Sequence, residues 1–118
     1  MIPPNVGPPK TIVVTHPGAE GKLREQLVYL VHLSAEEVAR LKLVPGNRLI
    51  IRFRDDIVGE GQAILVERTT LERITKYDAI QAGFEDATVL QKHILATVLA
   101  GAKKPERTEF YKVLYRWL

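Results

Sequence analysis

The sequence predicts an α+β domain in which a small β-barrel, or a strongly bent sheet, carries short helices over its open ends. Short segments rich in β-branched and aromatic residues, some with regular apolar and polar alternation, are typical of strands. Helical segments lie between these strands without regular alternation, which disfavours a doubly wound parallel sheet. The last segment is also a strand, and it must find its partner early in the chain, as happens when a sheet curves into a barrel.

Composition indicates one ordinary globular domain. The chain has 118 residues, of which 46% are hydrophobic and 26% are charged, and these values exclude disordered and collagen-like classes. The absence of cysteine excludes disulfides, thiolate zinc sites and cysteine nucleophiles. The formal charge of +3 permits an anionic partner without requiring one. No apolar run reaches the roughly 18 residues of a membrane-spanning helix, and no signal peptide is recognisable, so we expect a soluble, cytoplasmic protein with no membrane partner.

The first third of the chain contains an extended segment, a strand and one ambiguous stretch. Residues 1–10 are rich in proline and are predicted to run extended, so the single domain comprises residues 11–118. The β-branched run Thr11–Thr15 is typical of a strand. Residues 20–33 fit either a helical apolar stripe or, from Gln26 onward, a strand, and periodicity does not decide between them.

The middle of the chain predicts a capped helix followed by a β-hairpin. Ser34 opens a capping box that starts a helix through about Leu41. Arg48–Arg54 is the strongest strand, because Leu49, Ile51 and Phe53 alternate with a second face of Arg48, Ile50, Arg52 and Arg54. Its predicted hairpin partner is Gln62–Arg68, and the two glycines just before this segment indicate a bulge or a sharply coiled sheet.

Two helices and a strand complete the chain. Thr75 and Asp78 form a capping box for a short helix, which Gly83 ends. A longer helix is predicted over residues 87–100, and Glu109–Trp117 is the last strand. The aromatic residues on one face of this strand can pack in the core or stack on bases, and the period of two favours the core. The three histidines share no ligand spacing, so we predict no metal site, and no motif indicates a cofactor.

Five basic residues are candidates for binding a nucleic-acid backbone. Alternate residues of a strand lie about 6.6–7 Å apart, which approximates the separation of successive phosphates. In the alternative interpretation they form a solvated outer face, paired with Asp55, Asp56 and Glu67. The candidates are Arg48, Arg52 and Arg54 on one strand face, and Lys112 and Arg116 on the last strand.

Lys22, Arg24 and Glu25 form a second candidate cluster. The lysine can donate to a phosphate or a carbonyl, and the glutamate can accept from a base edge. The alternative is a surface ion pair between residues three apart on a helix turn, worth about 0.2–0.5 kcal/mol.

Several short motifs in the second half of the chain occur together in one family. Asp78–Ala79 precedes Gly83–Phe84, an Asp-led helix follows, and in the final strand the aromatic pair Phe110–Tyr111 precedes apolar residues. With the turn Pro45–Leu49, this pattern resembles the ASCH domain, a small barrel related to the PUA domain of RNA-modifying enzymes. The resemblance covers about residues 42–118 and implies a PUA-like β-barrel that binds RNA or a nucleotide.

The family's functional signature is matched only in part. ASCH domains carry a Gly, a Lys, a Glu or Thr three residues after the Lys, and then an Arg, which line a cleft. Gly21, Lys22 and Glu25 fit these places, but Leu27 stands at the Arg position. Some members hydrolyse acetylated cytidine with a Lys, a Thr and a Glu, and others are described as ribonucleases. Here Ala82 stands in place of that catalytic Glu, and alanine can neither hold nor move a proton.

These observations predict a non-catalytic RNA- or nucleotide-binding domain of ASCH or PUA-like type. The alternative is a hydrolase acting on a modified nucleoside, or a ribonuclease, that uses Lys22 and Glu25. Because Glu25 replaces the threonine of the hydrolases, the hydroxyl nucleophile of that chemistry is missing from its expected place.

Overall fold

A computed structural model describes residues 8–15 and 26–118. This part of the chain is α+β, with a five-stranded sheet, three short α-helices and two 3-10 turns, Leu71–Arg73 and Pro105–Arg107. The strands are β1 (Lys10–Val14), β2 (Val28–Ser34), β3 (Arg48–Phe53), β4 (Asp56–Thr69) and β5 (Phe110–Trp117), and the helices are α1 (Ala35–Leu41), α2 (Lys76–Gln81) and α3 (Ala87–Ala96).

The five strands form one curled sheet in the order β1-β3-β4-β5-β2. β1 runs parallel to β3, and the other neighbouring strands are antiparallel. The sheet is a half-barrel whose two edge strands, β1 and β2, come first in the chain. The last strand pairs with β2, as the sequence predicts.

One hydrophobic core fills the inner face of this sheet, and a second core covers part of its outer face. The inner core collects one face of every strand, including Ile12, Ile51 and Tyr115, and is closed by Val38 of α1. Side chains from all five strands meet there because the sheet curls around them. The outer core lies between β2 and β5 on one side and the segments of α2 and α3 on the other. Its sheet residues are Leu30, Phe110 and the partly buried Leu114.

The ambiguous stretch at residues 20–33 contains a strand, β2, while residues 16–25 lie outside the described part. Five consecutive residues of β2, Tyr29 to Leu33, are buried. They are buried because β2 has the inner core on one face and the outer core on the other. A strand that is buried on both faces does not alternate between apolar and polar residues. For this reason periodicity does not distinguish β2 from a helix.

The hairpin of β3 and β4 contains the predicted irregularity. The β3–β4 register shifts between Ile51 and Arg52, and the β4–β5 register shifts between Ala63 and Leu65. Gly61 packs closely against β5: a Cβ atom there would lie 2.8 Å from Cδ2 of Tyr115. Glycine therefore permits the close approach of β4 to a buried ring.

The predicted helix starts are confirmed. The Oγ of Ser34 accepts from the backbone N–H of Glu37, and Thr75 and Asp78 form a complete capping box at α2. Gly83 follows α2 with φ of +84°, the left-handed conformation expected past a helix end. α3 is shorter than predicted, since it ends at Ala96 rather than at residue 100. No helix in the described residues is long and apolar enough to cross a membrane.

Candidate functional site

Three polar side chains lie side by side on the outer face of the sheet. The strand registers place Arg48 of β3 opposite Gln62 of β4, and Gln62 opposite Arg116 of β5. Neighbouring strands are about 4.8 Å apart, so the row spans about 10 Å. Arg52 belongs to the same face of β3, four residues after Arg48. We call Arg48, Arg52, Gln62 and Arg116, with Glu60 beside them, the arginine face.

Helices α2 and α3 do not cover this part of the outer face. The apolar side chains around it are exposed: Val13 of β1 by 45% and Ile57 of β4 by 67%. Val13 and Ile57 are the cross-strand neighbours of Arg52 on its two sides. The arginine face is therefore accessible among the described residues, and it combines cations with a few exposed aliphatic side chains.

The two arginines of the row have different partners. A nitrogen of Arg48, Nη2, lies 3.0 Å from Oε2 of Glu60, so this cation is paired with an anion. Nε and Nη2 of Arg116 both donate to Oε1 of Gln62, at 3.1 Å and 2.8 Å. Gln62 is neutral, so Arg116 is held in place while its charge stays uncompensated by this partner.

Arg52 is also held by a neutral group. Its Nη2 donates to the backbone carbonyl of Asp55 at 3.3 Å. Its Nε is buried and has no hydrogen-bond partner within the described residues. The alternative interpretation pairs the basic residues with the carboxylates of Asp55 and Asp56, but Arg52 contacts the main-chain oxygen of Asp55 instead.

Arg54 does not share the face of Arg48 and Arg52, contrary to the sequence prediction. β3 ends at Phe53, and Arg54 adopts a positive φ of 57° in the turn that follows. The guanidinium carbon of Arg54 lies 5.2 Å from the centre of the Phe53 ring, which belongs to the inner core. The alternation ends because the chain turns at this residue, and Arg54 covers the end of the core instead.

Lys112 lies on the outer face but apart from the arginine row. It stands opposite His32 of β2 and Glu67 of β4, and α2 brings Asp78 to within 3.7 Å of its Nζ. Asp78 also accepts from the backbone N–H of Thr75, so one carboxylate caps α2 and pairs with β5. The ion pair between Lys112 and Asp78 therefore links β5 of the sheet to α2.

A small cleft lies where the two edge strands approach each other beside α3. Thr15, which follows β1, and His93 of α3 are joined by a hydrogen bond of 2.8 Å between Oγ1 and Nε2. His32 of β2 and Ala82, at the end of α2, also line this cleft. Its enclosed part measures only about 20 Å³, enough for a water-sized group. We call it the seam cleft.

Burial dominates the electrostatics of the seam cleft. Desolvation lowers the pKa of His32 to about 4; Asp78 opposes this shift, whereas Lys112 and His93 add to it. His32 is only 8% exposed, and its Nε2 has no hydrogen-bond partner in the described part of the chain. The hydroxyl of Tyr29 donates to the carbonyl of Ala82 at 2.7 Å, and burial raises the pKa of Tyr29.

The candidate cluster of Lys22, Arg24 and Glu25 lies outside the described residues. Thr15 and Gln26 are the described residues that flank this cluster in the sequence. Thr15 lines the seam cleft. The side-chain amide of Gln26 donates to the carbonyl of Gln81 in α2.

The aromatic side chains of β5 belong to the core, as the period of two predicts. Tyr115 is completely buried, and its ring lies 5.3 Å from that of Trp117 in an edge-to-face arrangement. Tyr111 and Trp117 are partly buried against the inner core. In residues 8–15 and 26–118, no three His, Cys, Asp or Glu side chains are grouped so that they could hold a metal ion.

Sequence reasoning did not identify Gln62, Glu60, Thr15, His32 or His93 as members of a site. The alternation of β4 could have placed Gln62 on the outer face, but its contact with Arg116 depends on a strand register between residues 54 positions apart. Comparison with protein-family models, with curated proteins and with solved structures finds no match to this chain.

Proposed function

We propose that this domain binds RNA, or another nucleotide-containing ligand, without catalysis, through the arginine face. The observation that carries the proposal is the arrangement of Arg48, Arg52 and Arg116 on one exposed sheet face, with Arg52 and Arg116 held by neutral oxygens. Guanidinium groups fixed in this way can bind phosphate oxygens through paired N–H donors.

Charge supports the same proposal. The chain has a formal charge of +3, and among the described residues only Arg48 of the three arginines on this face is paired with a carboxylate. An uncompensated cation on an exposed surface attracts a phosphate backbone and releases its counterions, which strengthens binding at low salt. The exposed side chains of Val13 and Ile57 offer apolar contacts between the cations.

The domain type that we propose is ASCH or PUA-like. The described half-barrel, with α3 against its two edge strands, is compatible with a small barrel of this kind. In this proposal the seam cleft corresponds to the cleft of the ASCH family. Ala82, which stands in place of the family's catalytic Glu, lines the seam cleft. Thr15, which precedes Lys22 in the sequence, also lines it. Lys22, Arg24 and Glu25 would then contribute to ligand binding at its mouth.

The test is the salt dependence of RNA binding. We expect Arg52→Glu to weaken the affinity for a short single-stranded oligoribonucleotide by at least about tenfold, and to lower the slope of log K against log salt by about 0.7. The matched control is Arg40→Glu, which reverses a charge on α1, the helix that packs against the opposite face of the sheet. Wild-type affinity in Arg52→Glu, with its thermal stability retained, would contradict the proposal.

The second candidate function is hydrolysis of a modified nucleoside or of RNA. It is favoured by one observation, the seam cleft with the buried Nε2 of His32, which no side chain or carbonyl of residues 8–15 and 26–118 hydrogen-bonds. Turnover of acetylated cytidine and of single-stranded RNA, compared between the wild type and Lys22→Ala, tests it. Activity that Lys22→Ala removes would establish this function, whereas no turnover by the wild type would reject it.

A further inference from the structure

Arg116 is the most strongly oriented cation of the arginine face. Its guanidinium group has five N–H donors. The donor on Nε and one of the donors on Nη2 both bind the single oxygen Oε1 of Gln62. Two bonds to one acceptor fix the plane of the guanidinium group. The remaining donors are free for another acceptor, because no other hydrogen bond or ion pair of Arg116 occurs among the described residues.

Gln62 is well placed to hold this arginine. It lies on β4 at the centre of the row, between Arg48 on β3 and Arg116 on β5, and it is half-buried. Its Nε2 lies 3.5 Å from the carbonyl oxygen of Gly46, at the outer limit of a hydrogen bond. In this orientation Nε2 faces the carbonyl of Gly46 and Oε1 faces the donors of Arg116.

The neutral charge of Gln62 has a further consequence. A carboxylate in the same place would bind Arg116 as firmly but would cancel its charge, as Glu60 does for Arg48 at 3.0 Å. An amide holds the guanidinium group and leaves its positive charge available to an incoming anion. The two ends of the row therefore differ, with a balanced cation at Arg48 and an unbalanced one at Arg116.

We propose that Gln62 is a positioning residue that presents Arg116 to a phosphate group of the bound RNA backbone, while Glu60 restrains Arg48. This inference rests on the proposed RNA-binding function and assigns the roles within its surface. Arg116 supplies the phosphate contact, and Gln62 acts through Arg116 rather than on the ligand.

The test is a double-mutant cycle with Gln62→Met, which releases Arg116 without adding a charge, and Arg116→Gln, read by fluorescence anisotropy with a labelled oligouridine over a range of salt concentrations. Each single substitution should weaken binding by about tenfold and lower the salt slope by about 0.7, the value for one phosphate of a single strand. The double variant should bind no more weakly than either single variant, because both remove the same contact.

Two control variants separate this role from net charge and from folding. Lys92→Gln removes the same charge as Arg116→Gln from an exposed position on α3 and should leave the salt slope unchanged. Glu60→Gln frees the charge of Arg48 and should therefore tighten binding. Thermal unfolding of each variant identifies any loss of fold, and a purely structural role of Gln62 would move the melting temperature without moving the salt slope.

The outcomes distinguish the inference from the function on which it rests. If the wild type binds oligouridine and Arg52→Glu does not, while Gln62→Met or Arg116→Gln keeps the wild-type affinity and slope, the assigned roles are wrong and the function stands. If Gln62→Met and Arg116→Gln weaken binding additively, Gln62 does not act through Arg116. If the wild type shows no salt-dependent RNA binding, both proposals fail.

Discussion

Acidification should destabilise this domain well before most of its carboxylates titrate, because of His32. Burial lowers the pKa of the His32 imidazole in the folded chain to about 4, from its usual value of 6.5. A base whose folded pKa is lowered contributes its full stability above the unfolded pKa. As the pH falls below 6.5, His32 binds a proton in the unfolded state but not in the folded state. The free energy of unfolding therefore decreases until the pH reaches about 4.

The magnitude follows from the pKa difference. Each pH unit between the two pKa values lowers the free energy of unfolding by about 1.4 kcal/mol. From about pH 7 to about pH 5, roughly one and a half of these units are crossed, so His32 alone should lower it by about 2 kcal/mol. A change of this size corresponds to a fall in melting temperature of several degrees in a domain of this length.

The assay is urea unfolding at these two pH values, for the wild type and for His32→Phe. The variant keeps a ring against Phe110, whose centre lies 6.0 Å from that of His32, and removes the titrating group. The wild type should lose about 2 kcal/mol more than the variant on acidification, since the other groups titrate in both proteins. An equal loss in the two proteins would refute the reasoning and show that water or a proton acceptor reaches Nε2 of His32.

Two further predictions concern the contacts that hold the site in place. Gly61→Ala should destabilise the fold by about 1–3 kcal/mol, because the new methyl group would meet the buried ring of Tyr115 at 2.8 Å; chemical denaturation measures this, and an unchanged midpoint would show that the ring can move. Asp78→Ala should cost about 2–3 kcal/mol, since it removes a cap of α2 and leaves the cation of Lys112 unpaired. Thr75→Ala, which removes only the cap, should cost about 1 kcal/mol, and equal losses in the two variants would rule out a contribution from the ion pair.

Local chemistry predicted most of the elements of this fold. The N-caps at Ser34 and Thr75 mark helix starts because a side-chain oxygen must satisfy a backbone N–H there, whatever surrounds the helix. The alternation in β3 predicted the buried Leu49, Ile51 and Phe53, because successive side chains of a strand point to opposite faces. Both signals involve residues within a few positions of each other.

The predictions that failed, or stayed undecided, concern residues whose surroundings come from distant parts of the chain. β2 could not be separated from a helix because two cores bury both of its faces. Arg54 was assigned to the wrong face because alternation does not show where a strand ends. Lys112 follows the alternation of β5, but α2 carries Asp78 onto it and removes it from the arginine row.

The sequence by itself determined the α+β class, the helix caps, the central alternating strand and the candidate cations, because each depends on the spacing of neighbouring residues. The tertiary structure alone decided which cations are balanced by carboxylates and which are held by neutral oxygens. Strand register placed Gln62 against Arg116, across 54 positions, and the curl of the sheet brought Thr15 to His93, across 78. Contacts at such separations arise only when the whole sheet has formed, since no local pattern fixes the register between distant strands.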